Sequence, residues 1–308
     1  MPDLKTLVEE TYAEGFRGIY GELLITAHDE KWLRHCVNAV TGHASSTIMC
    51  DCEAGVAQWI GPAAAAANKT PDGRPGAIVQ FHVPRFRKNR EKHLERVMLA
   101  RISQNVLTCP TARCFNEIDS DDYFKLGRKV AMFGDRHQFR DQRYGEKGWV
   151  IPILAGEFFL SRRFGFRDGV MGGNLWFMAG SADAALSAAE RAAAAVDACP
   201  DVVTTFPGGV ASSGSKAGSS YDFLIAATYA EYCPTLKEKL GDKSKVPAGV
   251  ASITEIIING KDLDAIKVAT KAAIAAAAPT PDLVRITAGN YGGRLGKSFV
   301  HLHELIDE

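Results

Sequence analysis

Hydrophobic and polar positions recur along this chain in two rhythms, and the rhythms follow the same order in each half. In the first half, an apolar run over residues 21–27 predicts a strand. Asp29 then stands where a helix cap belongs, and Trp32, Leu33, Cys36, Val37 and Val40 repeat at helical spacing until Gly42. Residues 45–49 read as a second strand, residues 61–76 as a loop rich in alanine and turn formers, and residues 77–83 as a third strand. A basic amphipathic helix follows over about residues 88–105, with Leu94, Val97, Met98, Arg101 and Ile102 on related turns, and stops near Cys109-Pro110. Residues 129–133 and 148–154 read as two further strands.

The second half repeats the order, with strands at residues 175–178 and 201–206 around an alanine-rich helix at residues 183–196. After an insertion come a strand at residues 251–260, a helix at residues 262–278 and a strand at residues 283–287. Strand–helix–strand followed by strand–helix–strand is the split pattern of ferredoxin-like folds, with helices on one face of an antiparallel sheet. The predicted fold class is therefore α+β: two ferredoxin-like α/β sandwich lobes related by an internal repeat, spanning residues 1–150 and 151–308. The closing strand is apparent only in the second half. A cleft between packed lobes is a frequent place for a small-molecule site.

The strand at residues 251–260 is β-branched and apolar except for one carboxylate in its middle. Alternation puts Glu255 on one face with Ile253 and Ile257. Poor hydration there disfavours the charged form and raises the carboxyl pKa, which suits a general acid. The competing reading is an exposed edge position or a structural ion pair with an unidentified Lys or Arg.

Composition narrows the partners. Lys plus Arg and Asp plus Glu are equal at 36 each, so no overall field draws the chain to nucleic acid or to an anionic membrane. Small neutral or zwitterionic ligands remain. The start, Met-Pro-Asp-Leu-Lys-Thr, does not read as a secretory signal, and no apolar run approaches the ~20 residues of a spanning helix. Seven cysteines without Cys-x-x-Cys spacing fit a thiol-keeping cytoplasm.

Two glycine-rich loops are the other candidate chemistry. Residues 206–221, Phe-Pro-Gly-Gly-Val-Ala-Ser-Ser-Gly-Ser-Lys-Ala-Gly-Ser-Ser-Tyr, resemble a phosphate cradle, but Ala217 stands where a Walker motif needs Ser or Thr. Pro207, Gly208, Gly209, Ser212, Ser213, Lys216 and Tyr221 instead suit the lining of a long polar substrate; a flexible surface linker is the alternative. Asn290, Tyr291, Gly292 and Gly293 follow the last predicted strand directly, where glycines admit close backbone approach and Asn290 with Tyr291 matches a flat heterocycle. Glu53 is a second carboxylate to consider. His43 with Cys50 and Cys52, or His301 with His303 on alternate strand positions, falls short of a metal set, so no metal site is expected. Cys233 is the best-placed cysteine for nucleophilic chemistry, although buried cysteines more often act as small hydrophobes.

Taken together, Leu24-Ile-Thr-Ala27, Ile48-Met-Cys50, Glu53-Ala-Gly55, Thr70-Pro-Asp-Gly-Arg-Pro-Gly76, Cys109-Pro-Thr-Ala112, Phe133-Gly-Asp135, Phe206-Pro-Gly-Gly209, Glu231-Tyr-Cys-Pro-Thr-Leu236, Glu255-Ile and the run from Ile286 to Gly293 resemble formylmethanofuran–tetrahydromethanopterin formyltransferases over nearly the whole chain. The resemblance implies reversible formyl transfer between the amine of a methanofuran-type coenzyme and N5 of tetrahydromethanopterin. Both coenzymes are then co-substrates, no cofactor is permanently bound, and Glu255 matches the family's proton donor. It also implies a homo-oligomer built as a dimer of dimers. The absence of an acidic excess is similar to the bacterial branch, which implies formyl-hydrolase subunits as partners. A non-catalytic pterin-binding or scaffold subunit of such a complex is the alternative function.

Overall fold

The computed structural model describes residues 4–48, 50–214, 216–224 and 226–307. Two compact units divide the chain: Arg17–Gly169, and Val170–Glu308 together with the N-terminal segment through Phe16.

In the first unit, strand β1 (Tyr12–Thr26, of which residues 17–26 belong here) leads into helix α1 (Glu30–Ser46). Asp29 caps α1 by accepting the Trp32 N–H at 2.9 Å, as the sequence predicts. Strands β2 (Glu53–Ile60) and β3 (Gly76–Pro84) follow, then helix α2 (Arg90–Arg101) and strand β4 (Arg113–Asn116). β3 pairs antiparallel with both β1 and β2, and β1 pairs antiparallel with β4. The sheet order is thus β2-β3-β1-β4, which is the ferredoxin-like arrangement.

Three expectations change here. The helix does not end at Gly42: α1 continues to Ser46, with the Ser45 and Ser46 hydroxyls turned back onto the Gly42 carbonyl, so residues 45–48 are not a strand. Met49 lies outside the described residues. Residues 129–133 are helical as well, because Leu126, Val130 and Ala131 bury one face of a short helix, Leu126–Ala131; a brief apolar run does not distinguish the two periods. The closing strand hidden in the sequence is β4, only four residues long. The boundary expected near 150 lies ahead of the point at which these compact units divide. It falls inside the strand Glu146–Ile153, whose antiparallel partners Phe139–Arg143 and Gly156–Ser161 hold it in the first unit.

The second unit repeats the plan with β5 (Phe164–Ala179, from residue 170), α3 (Ala182–Asp197), β6 (Val202–Thr204), β7 (Ser252–Gly260), α4 (Leu263–Ala277) and β8 (Leu283–Thr287). Its order is β6-β7-β5-β8, all antiparallel. Residues 12–15 of β1 add a further pairing with β9 (Ser298–His301). Alanine explains the helix layer: Ala188, Ala189, Ala192 and Ala193 of α3 and Ala269 and Ala273 of α4 are buried in one core with Ile256 and Ile258 of β7. Small side chains let helices lie close on a sheet without voids. Thr254, a polar position on this face, is satisfied by donating to the Ala185 carbonyl at 2.7 Å.

The first unit buries an arginine against a partly exposed carboxylate. Arg101, on the core side of α2 and 1% exposed, bonds Asp51 at 2.7 Å and lies 5.8 Å from the Phe81 ring. Removing one member of such a pair leaves an uncompensated charge. Asp51→Asn is expected to lower stability by about 3 kcal/mol in urea unfolding, and adding Arg101→Met should recover most of that loss. A single-variant shift under about 0.5 kcal/mol would mean that water screens the pair.

Candidate active site

Glu255 lies on the sheet face opposite the helices, and β-pairing decides its surroundings. In the antiparallel register Trp176 of β5 stands directly across from Glu255, and Asn174 across from Ile257. Both therefore share its face. The Trp176 indole N–H donates to Glu255 Oε1 at 2.8 Å, and the Asn174 amide donates to the same oxygen at 2.9 Å. The second carboxyl oxygen, Oε2, accepts from neither.

Glu255 is 6% exposed. Burial raises its pKa above the ordinary carboxylate range, and the bonds from Trp176 and Asn174 offset only part of that rise. Its hydrogen-bond partners are these two neutral groups, and among the described residues no Lys or Arg forms an ion pair with it. A neutral carboxyl group holding its proton on Oε2 fits this geometry, since Oε1 already acts as a double acceptor.

The carboxyl group faces a cleft of about 200 Å³, lined among others by Ala211, Ser212, Ser213, Gly214, Thr228 and Tyr229. Tyr229 and Tyr232 both meet the Trp176 ring edge-on with centroids 5.0 Å apart. The first glycine-rich loop is fastened to Glu255 through the backbone: Ala211 and Glu255 exchange two N–H···O bonds of 2.8 Å each. A turn at Pro207–Gly209 aims it there, and Phe206 adopts φ 72°, a backbone state that favours glycine and stores strain. Gly209 is required by packing, since a Cβ there would come 2.5 Å from Thr204 Oγ1.

The other expected residues fall as follows. Ser212 and Ser213 line the cleft with Glu255. Pro207, Gly208 and Gly209 shape the approach to it. Lys216 pairs with Ala227 in a short hairpin beyond the cleft, and Tyr221, near the hairpin tip, is exposed with its ring 5.7 Å from Phe223. The Tyr291 side chain hydrogen-bonds Tyr229. Asn290 Nδ2 donates to Thr11 and to the Tyr12 carbonyl, while Gly292 and Gly293 form the turn after it. Glu53 belongs to the first unit, on β2 opposite His82.

Cys233 lines the cleft, but its thiol is turned to the Tyr229 carbonyl at 3.4 Å. Among the described residues no histidine lines this cleft, and no three His, Cys, Asp or Glu side chains are placed to hold a metal ion. His301 and His303 do not share a strand face. β9 ends at His301, and His303, already in the helix Leu302–Asp307, bonds the Val8 carbonyl. Three residues escaped the sequence reading: Trp176, Asn174 and Glu14. The first two are identified only by cross-strand register, and the third, buried in β1, holds the second glycine-rich loop.

Fold and cleft together define a two-lobed α+β protein with a buried carboxyl group, its pKa raised by burial, on the wall of a cleft. The chain belongs to the formylmethanofuran–tetrahydromethanopterin formyltransferase family. The family's model for that description matches residues 3–153, and the model for its proximal lobe matches residues 156–305. The formylmethanofuran–tetrahydromethanopterin formyltransferase of Methanocaldococcus jannaschii is 42% identical over 97% of this chain and 98% of its own length. That of Archaeoglobus fulgidus is 40% identical over 97% of each. Among solved structures, the formyltransferase from Methanosarcina barkeri matches with a TM-score of 0.90 at 38% identity, covering 99% of this chain and 100% of that one. A chain of the formyltransferase/hydrolase complex from Methylorubrum extorquens with methylofuran matches with a TM-score of 0.88 at 34% identity, covering 99% and 98%. These identities do not themselves favour the bacterial branch.

Because the folded-state pKa of Glu255 is raised, its contribution to stability is fully present below the unfolded pKa of about 4.3 and is lost as pH rises through the folded value. Glu255→Gln cannot ionise. The variant should therefore gain stability relative to the parent between pH 5 and pH 8 in paired urea titrations. A difference independent of pH would mean that the carboxyl group is not desolvated.

Proposed function

We propose that the chain transfers a formyl group, reversibly, between the primary amine of a methanofuran-type coenzyme and N5 of tetrahydromethanopterin. The observation that carries the reading is Glu255: a buried carboxyl group with one oxygen fixed by two N–H donors, facing a cleft rimmed by hydroxyls and aromatic rings. The accepting amine attacks the formyl carbon, a C–N bond forms, and the carbonyl oxygen takes up the electron pair. Collapse of this tetrahedral adduct breaks the original C–N bond; the attacking nitrogen gives up its proton and the departing nitrogen takes one up, so the transfer is proton-neutral overall. Neutral Glu255 acts at the step where charge develops, by donating to the oxyanion or by supplying that proton.

The remaining groups position and exclude. Ser212, Ser213 and Thr228 offer hydroxyls, and Trp176, Tyr229 and Tyr232 supply apolar ring faces that suit a flat pterin or furan and keep water from the formyl carbon. An amine nucleophile supplied by the coenzyme makes an acyl-enzyme at Cys233 unnecessary. The whole-length likeness to enzymes named for this reaction supports the same conclusion.

Two finer assignments belong to the proposal. Assembly as a dimer of dimers follows the family resemblance, and a formyl-hydrolase partner is supported by the Methylorubrum extorquens relative, solved within a formyltransferase/hydrolase complex. Among the described residues, no helix is long and apolar enough to cross a membrane. All seven cysteines are unpaired, in keeping with a cytoplasmic, thiol-keeping setting.

Purified protein should transfer formyl between the two coenzymes in an absorbance-coupled assay. Glu255→Gln, which keeps shape but not the proton, should lower kcat about 10²–10⁴-fold with little change in KM. Near-normal turnover would remove Glu255 from the chemistry. No transfer at all by the folded parent would favour a scaffold role instead. Cys233→Ala should keep most activity, and a trapped formyl-thioester would replace direct transfer with a two-step route.

A further inference from the structure

Glu14 does not line the cleft, yet it is 2% exposed and its carboxylate gathers an entire loop. Oε2 accepts the backbone N–H groups of Tyr291 at 2.7 Å and Gly293 at 2.9 Å. Oε1 accepts those of Leu295 and, at 2.8 Å, Gly296. Four backbone donors converging on one carboxylate in six residues is a built arrangement, because the segment between β8 and β9 has no ladder to satisfy them otherwise. Burial opposes ionisation of Glu14, but the four bonds outweigh it and hold the pKa below the ordinary range, so the group is anionic.

The start of the same loop rests on the Glu255 site. Gly289 N–H donates to Asn174 Oδ1 at 3.1 Å, while the amide nitrogen of that asparagine donates to Glu255. A Cβ on Gly289 would lie 2.8 Å from the Trp176 indole and 2.9 Å from Asn174 Nδ2, so the loop presses directly on both groups that orient the acid. Midway, the Tyr291 side chain reaches Tyr229 on the cleft wall. A continuous path of hydrogen bonds and packing therefore joins Glu14, the loop, the Asn174–Trp176 pair and Glu255.

We propose that Glu14 is a positioning residue for formyl transfer: by drawing residues 291–296 onto one carboxylate, it locks the loop that seats Asn174 and Trp176 on Glu255. The proposal rests on reading Glu255 as the acid. Its chemical content is limited and specific. Glu14 touches neither coenzyme, moves no proton, and acts only through the geometry of Glu255.

Glu14→Gln keeps the length of the side chain but removes the charge and turns an amide donor toward backbone donors. The expected result is a 10- to 100-fold fall in kcat, the scale of a misplaced catalytic group, with unchanged far-ultraviolet circular dichroism. Glu14→Asp, which keeps the charge and loses one methylene, should recover part of the activity. The decisive comparison is the double variant Glu14→Gln/Glu255→Gln. If Glu14 works through Glu255, the double variant is no slower than Glu255→Gln alone; an independent structural effect multiplies the two losses. Should Glu14→Gln not fold, Glu14→Asp combined with Glu255→Gln makes the same comparison. Full activity of Glu14→Gln, or multiplied losses in the double variant, overturns the proposal while leaving the acid reading intact if Glu255→Gln is slow. Normal turnover by Glu255→Gln instead removes the acid reading on which the proposal stands.

Discussion

For the role proposed for Glu255, a carboxyl group set into the interior of a strand must be kept neutral, oriented and reachable at once, and much of the second unit answers to that constraint. Burial alone would satisfy the first condition and leave the group to rotate. The two donors from β5 fix one oxygen, and they do so only in the observed register, with Trp176 opposite Glu255 and Asn174 one pair further on. A one-residue slip of β7 would turn Glu255 to the helix face, where Ile256 and Ile258 now pack among alanines and no donor awaits it. The alanine-rich helix layer thus serves the chemistry indirectly. By filling the opposite face with well-fitted apolar contacts, it makes the slip costly.

The internal repeat shows how little of this is a property of the fold. Eight residues before the following helix, the first unit places His82 where the second places Glu255. His82 stacks on Tyr20 at 5.1 Å and bonds Gln80, which in turn bonds Glu22. Complete burial pushes the imidazole pKa down to about 3, so it is neutral across the physiological range. The equivalent position is therefore polar in both units, but only the second surrounds a titratable acid with a cleft of hydroxyls and rings. Two copies of one topology carry different side-chain chemistry, as expected when sites are grafted onto folds.

What the sequence disclosed follows the range of the interactions involved. Elements governed by local period or local caps were legible: α1 from Asp29, α4 from Asp262, and β8 over residues 283–287. Glu255 stood out because a single carboxylate interrupts a β-branched run. Its partners were not legible, since Trp176 and Asn174 lie about eighty residues earlier and only pairing register brings them near. Glu14 was hidden for the same reason, facing a loop almost at the other end of the chain. The local errors also have local causes. Residues 45–49 and 129–133 are short runs in which helix and strand periods coincide, and β4 is too brief to carry a pattern of its own.

The two glycine-rich loops test whether composition implies flexibility. Glycine loses more backbone freedom on ordering than any other residue, so a glycine-rich loop is rigid only where specific bonds outweigh that loss. Both loops meet this condition at points that converge on the acid: the first through the reciprocal Ala211–Glu255 backbone bonds, the second through Gly289 on Asn174 and four N–H groups on Glu14. Glycine is then needed for proximity rather than mobility, because Gly289 lies where any side chain would strike Trp176. Acyl transfer between two bound amines depends on such order, since a formyl carbon open to water is hydrolysed and a displaced acid meets the oxyanion too late. The cost of ordering these loops is thus incurred in folding, and under the proposed function the cleft is organised around Glu255 before either coenzyme arrives.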